Sequence, residues 1–377
     1  MADFRPIPAL RYQEPLERVV APPYDVIPEE QLASWQARSP HNVTRLTRPG
    51  SDYEGAARLL ERWTTDAVLS EDPASFYLHE TEFEGRVRRD LIGGLRLQPY
   101  EDGVVLPHER THRGPKEDRL ALFRATHASL EPLWFLYEGT GTRLPELLAA
   151  AFAAPPSVDF EFEGKRHRLW AVTDLQWQDA VRAEFKPLPV LIADGHHRYE
   201  TTLAFSEELG GPHDAASRFT LALLTDLDDP GLVVLPTHRL LKAGVAVTGG
   251  DPAATLAEMQ AGLVGKVAAG AYRDGQFQII PLEGEVAVVE LHSQVVDNIL
   301  GKRSAEEFLS YTRDPEEAVR WVDEGRGVAA FFLDAPDLRA VLNLAREGKT
   351  MPQKSTYFYP KPPSGMLFHR LDNGRTL

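Results

Sequence analysis

The sequence predicts a mixed α/β fold of the α+β kind. A helix is indicated over residues 53–69, where apolar side chains recur at helical spacing. Two strand-like runs, 76–83 and 87–97, meet at Glu84-Gly85, which is a hairpin signal. Strands and helices alternate further along the chain, but without the steady spacing of a doubly wound fold. A mixed α/β class is therefore predicted.

The remaining elements follow in chain order. Helices are predicted at 120–130, 144–152, 199–209, 314–324 and 337–347, and strands at 133–137, near 160, and at 169–172, 189–193, 219–225, 232–235 and 327–333. Proline and glycine clusters suggest four regions. They are an N-terminal α/β region (1–153), a core that contains Asp194 (154–240), a small α/β insertion (241–300) and a C-terminal region that packs back on the site (301–377).

The composition excludes several classes of site. The chain of 377 residues contains no cysteine, which excludes disulfides, thiolate metal sites and cysteine nucleophiles. A net charge of −15 argues against broad nucleic-acid binding, which relies on lysine and arginine. The N-terminus lacks the apolar core of a signal peptide, and no apolar run approaches the roughly 20 residues of a membrane span. A cytoplasmic location without membrane association is expected.

The segment Asp194-Gly-His-His-Arg-Tyr-Glu200 lies where an apolar strand meets a helix. Glycine permits a tight turn, and amide groups at a helix start attract anions together with the positive end of the helix dipole. Gly195, His196, His197 and Arg198 are therefore predicted to bind phosphate, with Arg198 able to do so bidentately. The competing interpretation is a plain turn in which Asp194 caps the helix.

Residues 108–119 form a second candidate segment, with four cations, three carboxylates and two histidines. Most such runs are solvated loops. Here Gly114-Pro115 predicts a defined turn, and Lys116 and Arg119 fall near one face of a helix start, from which they can neutralise phosphate oxygens. His108 and Glu109 are candidates to shuttle a proton or to ligate a hard cation.

A third segment, 351–361, contains hydroxyls, aromatics and two lysines without helical periodicity. Lys354, Ser355 and Thr356 are candidates to close over an anionic substrate, and the alternative is an edge strand with its aromatics in the core. Two proline-containing bends, 21–27 and 235–240, carry polar residues and are interpreted as structural.

Familiar nucleotide and hydrolase motifs are missing from the sequence. It contains no His-Glu-x-x-His zinc spacing, no phosphate-binding P-loop, no Gly-x-Gly-x-x-Gly fingerprint and no Gly-x-Ser-x-Gly elbow. A zinc site is therefore a weak option, the usual nucleotide-binding folds and a serine hydrolase with such an elbow are unsupported, and the metal ligands stay unknown.

Six separated motifs together resemble the family catalogued as domain of unknown function 1015. They are Ala21-Pro-Pro-Tyr-Asp-Val-Ile27, Pro107-His-Glu-Arg-Thr111, Gly114-Pro-Lys-Glu-Asp-Arg-Leu120, Ala193-Asp-Gly-His-His-Arg-Tyr-Glu-Thr201, Leu235-Pro-Thr-His-Arg239 and Pro352-Gln-Lys-Ser-Thr-Tyr-Phe-Tyr-Pro360. The resemblance spans almost the whole chain. The Asp194 turn is also similar to the phosphate-binding turn of the ParB and sulfiredoxin superfamily, which implies a ParB/sulfiredoxin-like core (154–240) with N-terminal and C-terminal elaborations.

The resemblance implies an activity. Members of this family have been linked to a serine kinase activity with inorganic pyrophosphate as phosphoryl donor, which implies a phosphotransferase that makes O-phospho-L-serine with Mg²⁺. In the related free-serine kinases the aspartate of this turn matters for catalysis, so the resemblance gives Asp194 the role of base. Glu109 is a second candidate base on local chemistry, and Glu200 is assigned to substrate binding. Sulfiredoxin chemistry needs a cysteine, which this chain lacks.

Two alternatives remain open at this stage. One is a ParB-like nucleotide or nucleic-acid binding regulatory module, which the net negative charge disfavours. The other is a phosphoesterase that uses the same residues. For the kinase itself, the phosphoryl donor is either pyrophosphate or a nucleotide. A single active site predicts that His108, Lys116, Asp194, Arg198 and Lys354 line one pocket.

Overall fold

The computed structural model describes residues 1–109, 116–244, 249–301, 303 and 305–377, and it confirms the mixed α/β class. The described residues form two compact units. Unit 1 contains 1–107, 116–232 and 360–377, and unit 2 contains 108–109 and the described part of 233–359. The proline and glycine clusters suggest other boundaries, after 153, 240 and 300, and the functional division into four regions stays a prediction.

Unit 1 is built on one large sheet. The helices are α1 (Leu16–Val19), α2 (Glu29–Gln36), α3 (Thr44–Thr47), α4 (Tyr53–Thr65), α5 (Lys116–Thr126), α6 (Leu144–Phe152), α7 (Leu175–Phe185) and α8 (His196–Leu209). The strands are β1 (Phe4–Arg5), β2 (Leu10–Tyr12), β3 (Leu69–Glu71), β4 (Phe76–Phe83), β5 (Arg86–Arg96), β6 (Val105–Leu106), β7 (Ala128–Ser129), β8 (Leu133–Tyr137), β9 (Val158–Phe162), β10 (Lys165–Val172), β11 (Val190–Asp194), β12 (Phe219–Asp226) and a last short strand, His369–Arg370.

The main sheet of unit 1 runs in the order β6-β11-β8-β12-β5-β4-β10-β9, with β1 beside β5. It is mixed, because β11 pairs parallel to β6 and β12 parallel to β8, whereas the other pairings are antiparallel. The predicted hairpin is confirmed. Glu84 and Gly85 connect β4 and β5 with φ values of +49° and +73°, as a two-residue hairpin turn requires.

The core of unit 1 packs α6, α7 and α8 against this sheet. Phe135 of β8, Phe185 of α7 and Tyr199 of α8 are among its buried side chains. Every residue of β8 is buried, whereas α7 buries one face that includes Val181 and Phe185. The core holds the end of β11 and the start of α8 in place, and the candidate site lies there.

A second buried cluster in unit 1 is polar. Asp90 accepts hydrogen bonds from Arg88 Nε at 3.0 Å and from Thr225 Oγ1 at 2.5 Å, and its Oδ2 lies 3.0 Å from His79 Nδ1. Burial raises the pKa of Asp90, but the charge of Arg88 and these hydrogen bonds outweigh it, so the pKa is lowered. Arg88 also donates from Nη1 to the carbonyl of Pro360 at 2.5 Å, which fixes the C-terminal segment against the sheet.

Unit 2 is built on a smaller antiparallel sheet. Its strands are β13 (Val233–Leu235), β14 (His238–Leu241), β15 (Asp251–Ala253), β16 (Ala268–Arg273), β17 (Gln276–Pro281), β18 (Leu309–Thr312), β19 (Ala329–Phe332) and β20 (Tyr357–Tyr359). Its helices are α9 (Leu256–Leu263), α10 (Ala287–Leu291), α11 (Asp297–Leu300), α12 (Ala305–Phe308), α13 (Pro315–Asp323) and α14 (Leu338–Arg346). The sheet order is β15-β17-β16-β19-β14-β18, and β13 pairs separately with β20.

Unit 2 has its own apolar core, in which Met259 of α9, Ala318 of α13 and Phe332 of β19 are buried. Across the part of the chain that the structure describes, no helix is both long and apolar enough to cross a membrane.

The Arg88–Asp90 pair gives a stability prediction. We expect Arg88→Met to lower the free energy of unfolding by about 3–5 kcal/mol, because it leaves the fully buried Asp90 carboxylate without its cation. The double variant Arg88→Met/Asp90→Asn should lose less than the single variant, since no buried charge is then left alone. Urea unfolding monitored by circular dichroism measures both. A double variant less stable than Arg88→Met would contradict this account.

Candidate active site

The candidate site begins at the end of β11. A bulge between Ile192 and Asp194 shifts the strand register and places Asp194 opposite Trp134 of β8. Gly195 follows with a φ of +102°, in the left-handed region that favours glycine. A Cβ on Gly195 would lie 2.8 Å from Leu133 Cδ2 and 3.1 Å from Arg198 Nη2, so a larger residue would disturb the turn.

Helix α8 begins at His196, three residues before the predicted start at Tyr199. The N–H of Tyr199 donates to the carbonyl of Gly195 at 2.8 Å, which makes Gly195 the N-cap. His196, His197 and Arg198 therefore form the first turn of the helix, not the loop before it. Asp194 is not the capping residue, and no side chain caps this helix. The N–H groups of the first turn are directed along the axis toward the end of β11.

Asp194 is held by two cations. Its Oδ1 lies 2.6 Å from Nζ of Lys361, and its Oδ2 accepts a hydrogen bond from Nη2 of Arg198 at 2.9 Å. Lys361 also pairs with Asp25 at 3.2 Å, and Arg198 Nη1 lies 3.8 Å from Glu131 Oε2. Cations and carboxylates thus alternate at the start of α8. We call these five residues the Asp194 cluster.

The charges of the cluster stabilise one another. Burial raises the pKa of Asp194, but Lys361 and Arg198 outweigh it and lower the value to about 2. Burial lowers the pKa of Lys361, but Asp194 and Asp25 raise it above its ordinary value overall. The pKa of Arg198 is likewise raised, because Glu131 and Asp194 outweigh burial. Asp194, Lys361 and Arg198 are therefore all ionised at neutral pH.

Arg119 of α5 lies beside this cluster. It donates from Nη1 to the carbonyl of Thr47 at 2.9 Å, pairs with Asp118 at 2.6 Å and stacks 4.3 Å over the ring of Tyr24. Arg119 and Arg198 line one small cavity together with Glu131. Lys116 begins α5, but its side chain and residues 110–115 lie outside the described residues.

The other predicted residues of α8 face different surroundings. His196 is buried and helps to lower the pKa of Asp194. His197 is half-buried. Glu200 accepts a hydrogen bond from the hydroxyl of Tyr100 at 3.3 Å. Its predicted role in substrate binding stays a prediction.

Unit 2 brings His108 and Glu109 of the second segment together with residues of the third segment. Glu109 accepts hydrogen bonds from the backbone N–H groups of Lys354 at 3.3 Å and Ser355 at 2.9 Å. The buried His108 lies with Nε2 2.8 Å from Thr356 Oγ1. Both carboxylate oxygens of Glu109 thus accept from the backbone, and its role as a second candidate base stays a prediction.

The candidate residues therefore form two groups, Asp194–Arg198 with Arg119 in unit 1, and His108–Glu109 with Lys354–Thr356 in unit 2. The common pocket stays a prediction. Sequence reasoning missed Lys361, Asp25 and Glu131. Asp25 lies in the 21–27 bend that was interpreted as structural, and Lys361 ends the 351–361 segment. Nothing in the sequence around Glu131 indicates its place beside Arg198.

The sequence profile of a family described as "Protein of unknown function (DUF1015)" matches residues 4–325. The chain belongs to this family. The resemblance carried by the six motifs is thereby confirmed. No curated protein matches the chain by sequence.

Three solved structures are similar to this DUF1015 chain. A free serine kinase in complex with AMP shares 16% identity with a TM-score of 0.39, over 68% of this chain and 84% of that one. A conserved hypothetical protein from Pyrococcus furiosus shares 18% identity with a TM-score of 0.38, over 71% and 93%. C-terminally truncated SbnI from Staphylococcus aureus shares 10% identity with a TM-score of 0.38, over 73% and 85%. Likenesses of this size do not identify an activity.

The turn at Gly195 gives a second prediction. We expect Gly195→Ala to destabilise the protein by about 1–3 kcal/mol, because alanine is strained at this φ and its Cβ would meet Leu133 and Arg198. Gly103→Ala is a matched control, since Gly103 has a φ of +66° but nothing within 4 Å of the added Cβ. Thermal or urea unfolding should show the larger loss at Gly195. Equal losses would mean that the close contacts do not matter.

The lowered pKa of Asp194 gives a pH prediction. Its folded value of about 2 lies below the ordinary 3.8, so its ionised form stabilises the folded state above about pH 4. This contribution, about 2 kcal/mol, should be lost as the pH falls from 4 to 2. The stability difference between the wild type and Asp194→Asn, measured by urea unfolding, should shrink over that interval. A difference independent of pH would contradict the ion pairs described for Asp194.

Proposed function

We propose that this protein is a phosphotransferase that transfers a phosphoryl group from inorganic pyrophosphate to the hydroxyl of free L-serine. The observation that carries the proposal is the fixed carboxylate of Asp194 between Lys361 and Arg198 at the N-terminus of α8. The site thus combines an acceptor for a hydroxyl proton with cations and helix amides that attract phosphate oxygens. The six family motifs support the same activity.

Phosphoryl transfer requires the protein mainly to position the reactants and to stabilise negative charge. In phosphoryl transfer the transition state is loose, and its negative charge is spread over the oxygens of the transferred group. Lys361, Arg198 and the amide groups of the first turn of α8 supply positive charge near Asp194. Because their side chains are mostly buried and already hydrogen-bonded, they do not have to reorganise during the reaction.

Asp194 is the proposed base. The serine Oγ attacks the terminal phosphorus, the new O–P bond forms as the bridging P–O bond of pyrophosphate breaks, and inorganic phosphate leaves. The hydroxyl proton passes to Asp194 and then to solvent. A carboxylate with a pKa of about 2 is a weak base, so its main effect is to orient the hydroxyl. A loose transition state tolerates this, because the hydroxyl needs to lose its proton only late.

A magnesium ion fits these residues only in part. Among the described residues, no group of three or more His, Cys, Asp or Glu side chains is arranged to hold a metal ion. Mg²⁺, however, is commonly bound by one or two carboxylates together with substrate phosphates. Asp25, half-exposed and next to Lys361, is the carboxylate that would hold it. The ion would supply positive charge that neutralises the phosphate oxygens of the donor.

The activity is tested directly. The protein is incubated with L-serine, MgCl₂ and pyrophosphate, with ATP and ADP as alternative donors, and the products are followed by phosphorus NMR. We expect O-phospho-L-serine and inorganic phosphate in equal amounts with pyrophosphate. Absence of phosphoserine with every donor would refute the proposal, and release of phosphate from added phosphoserine without an acceptor would point to a phosphoesterase.

Two variants test the assigned roles. Lys361→Met should lower kcat by about 100-fold or more, because it removes a cation from the site. The exposed Lys186 of the same unit provides the control, and Lys186→Met should be unaffected. Asp194→Asn keeps the shape of the side chain but cannot take up a proton, and it should lower kcat by about 100-fold or more while the circular dichroism spectrum is retained. A folded Asp194→Asn protein with unchanged kcat would remove Asp194 as the base.

A further inference from the structure

A cavity on the surface of unit 1 has no role in the function proposed above. It lies where α3 packs against α4, and its volume is about 650 Å³. Ligand cavities usually measure about 300–1,000 Å³, so this one has room for a small molecule. Its walls contain four arginines, namely Arg45, Arg48, Arg58 and Arg62, and none of the described residues of the Asp194 cluster. We call this cavity the arginine groove.

The four arginines come from two neighbouring elements at helical spacing. Arg58 and Arg62 are four residues apart on α4, so their side chains lie one above the other on one face of that helix. Arg45 lies on α3, and Arg48 directly follows the end of this helix. The groove therefore receives positive charge from both of its walls.

Most of this positive charge is not balanced by carboxylates. Among the residues that the structure describes, Arg45 and Arg62 form no ion pair. Arg58 Nη2 lies 3.8 Å from Asp52 Oδ1, and with side chains that are 68% and 71% exposed this contact contributes little. Asp52 also caps α4, because its Oδ1 accepts from the N–H of Gly55 at 2.8 Å. The groove is thus strongly positive in a chain whose net charge is −15.

Arg48 differs from the other three arginines, because it also holds the backbone. Its Nη1 donates to the carbonyls of Tyr24 and Ile27 at 2.9 Å each, and its Nη2 pairs with the exposed Glu29 at 2.5 Å. Arg48 is therefore fixed at the edge of the groove, and its removal would disturb the turn that it holds. The two arginines of α4 are exposed, so they can be replaced without loss of such contacts.

The chemistry of the walls indicates the class of ligand. A guanidinium group binds two phosphate oxygens at once, which makes arginine the side chain best suited to phosphate. Four guanidinium groups on two walls can neutralise more charge than one phosphate carries, so an extended anion fits them better. The described residues that line the groove include no aromatic side chain, so a nucleobase would have no surface on which to stack.

We propose that the arginine groove binds a chain of three or more linked phosphates. Such a chain is present both in inorganic polyphosphate and in a nucleoside triphosphate. The proposal does not rest on the proposed kinase activity, because it concerns other residues and binding is measured without turnover. The competing account is that these arginines are ordinary surface charges that only contact water.

The test is isothermal titration calorimetry on the full chain at low ionic strength. Sodium tripolyphosphate and ATP are titrated separately, without MgCl₂, into the wild type and the double variant Arg58→Gln/Arg62→Gln. We expect the variant to bind tripolyphosphate about tenfold more weakly or worse, because two cations that face the ligand are removed. A similar loss for ATP shows that the phosphate chain is taken from either source. Unchanged affinity for tripolyphosphate would overturn the proposal.

A matched control is Arg86→Gln/Arg182→Gln. It removes the same charge from two exposed arginines of unit 1 that do not line the groove, so both affinities should be unchanged. An equal loss in this control would overturn the proposal, because the effect would then be one of overall charge. Circular dichroism checks the fold of each variant. If the groove variant does not fold, the single variant Arg62→Gln decides the outcome, with an expected loss of about threefold or more.

The failure of this proposal can be told apart from failure of the kinase. Lys361→Met removes a cation of the Asp194 cluster and should still bind tripolyphosphate in the groove. If Lys361→Met loses this binding and Arg58→Gln/Arg62→Gln keeps it, the anion lies at the Asp194 cluster, which overturns the groove and leaves the kinase proposal standing. Binding in the groove without phosphoserine formation would instead count against the kinase alone.

An acidic protein segment is the other class of partner that a positive groove attracts. A peptide of six glutamates is therefore titrated into the same proteins. We expect it to bind more weakly than tripolyphosphate, because each carboxylate carries less charge than a phosphate. Tighter binding of the peptide, lost in Arg58→Gln/Arg62→Gln, would overturn the proposal in favour of a protein partner.

Discussion

The Asp194 carboxylate between Lys361 and Arg198 is the interaction on which the candidate site depends. It joins the end of β11 and the adjacent first turn of α8 to the C-terminal segment, which is far away in sequence. Arg88 supports it from within the sheet, because it holds the carbonyl of Pro360 just before Lys361. The buried polar cluster of Arg88 and Asp90 therefore contributes to the position of a cation that belongs to the site.

The buried arginines of the two units have different kinds of partner. In unit 1, Arg88 and Arg198 are balanced by carboxylates, which fixes both charges in one arrangement. In unit 2, the described hydrogen-bond acceptors of Arg239 are neutral groups, among them His292 and the carbonyl of Lys354. Balanced charges suit a site that must stay preorganised, as proposed for the Asp194 cluster.

Local patterns predicted much of the fold. Helix α6 has the predicted bounds, Leu144–Phe152, and the hairpin turn at Glu84-Gly85 forms as expected, because both depend on neighbouring residues. The start of α8 was predicted three residues too late. Gly195 acts as an N-cap without a side-chain hydrogen bond, so the capping side chain that usually reveals a helix start is absent at that position.

The sequence by itself determined the fold class, the family and the residue types of the site, since six motifs and the strand-turn-helix pattern are local properties of the chain. Only the tertiary structure decided which residues meet. Lys361 reaches Asp194 and Asp25 across long stretches of chain, and Glu109 holds the loop at Lys354. Such pairings depend on the order of the strands in the sheet and on where the C-terminal segment packs. Residue spacing along the sequence does not predict the distances that result. The same holds for Arg239, because its burial beside His292 and the carbonyl of Lys354 is a property of the folded unit.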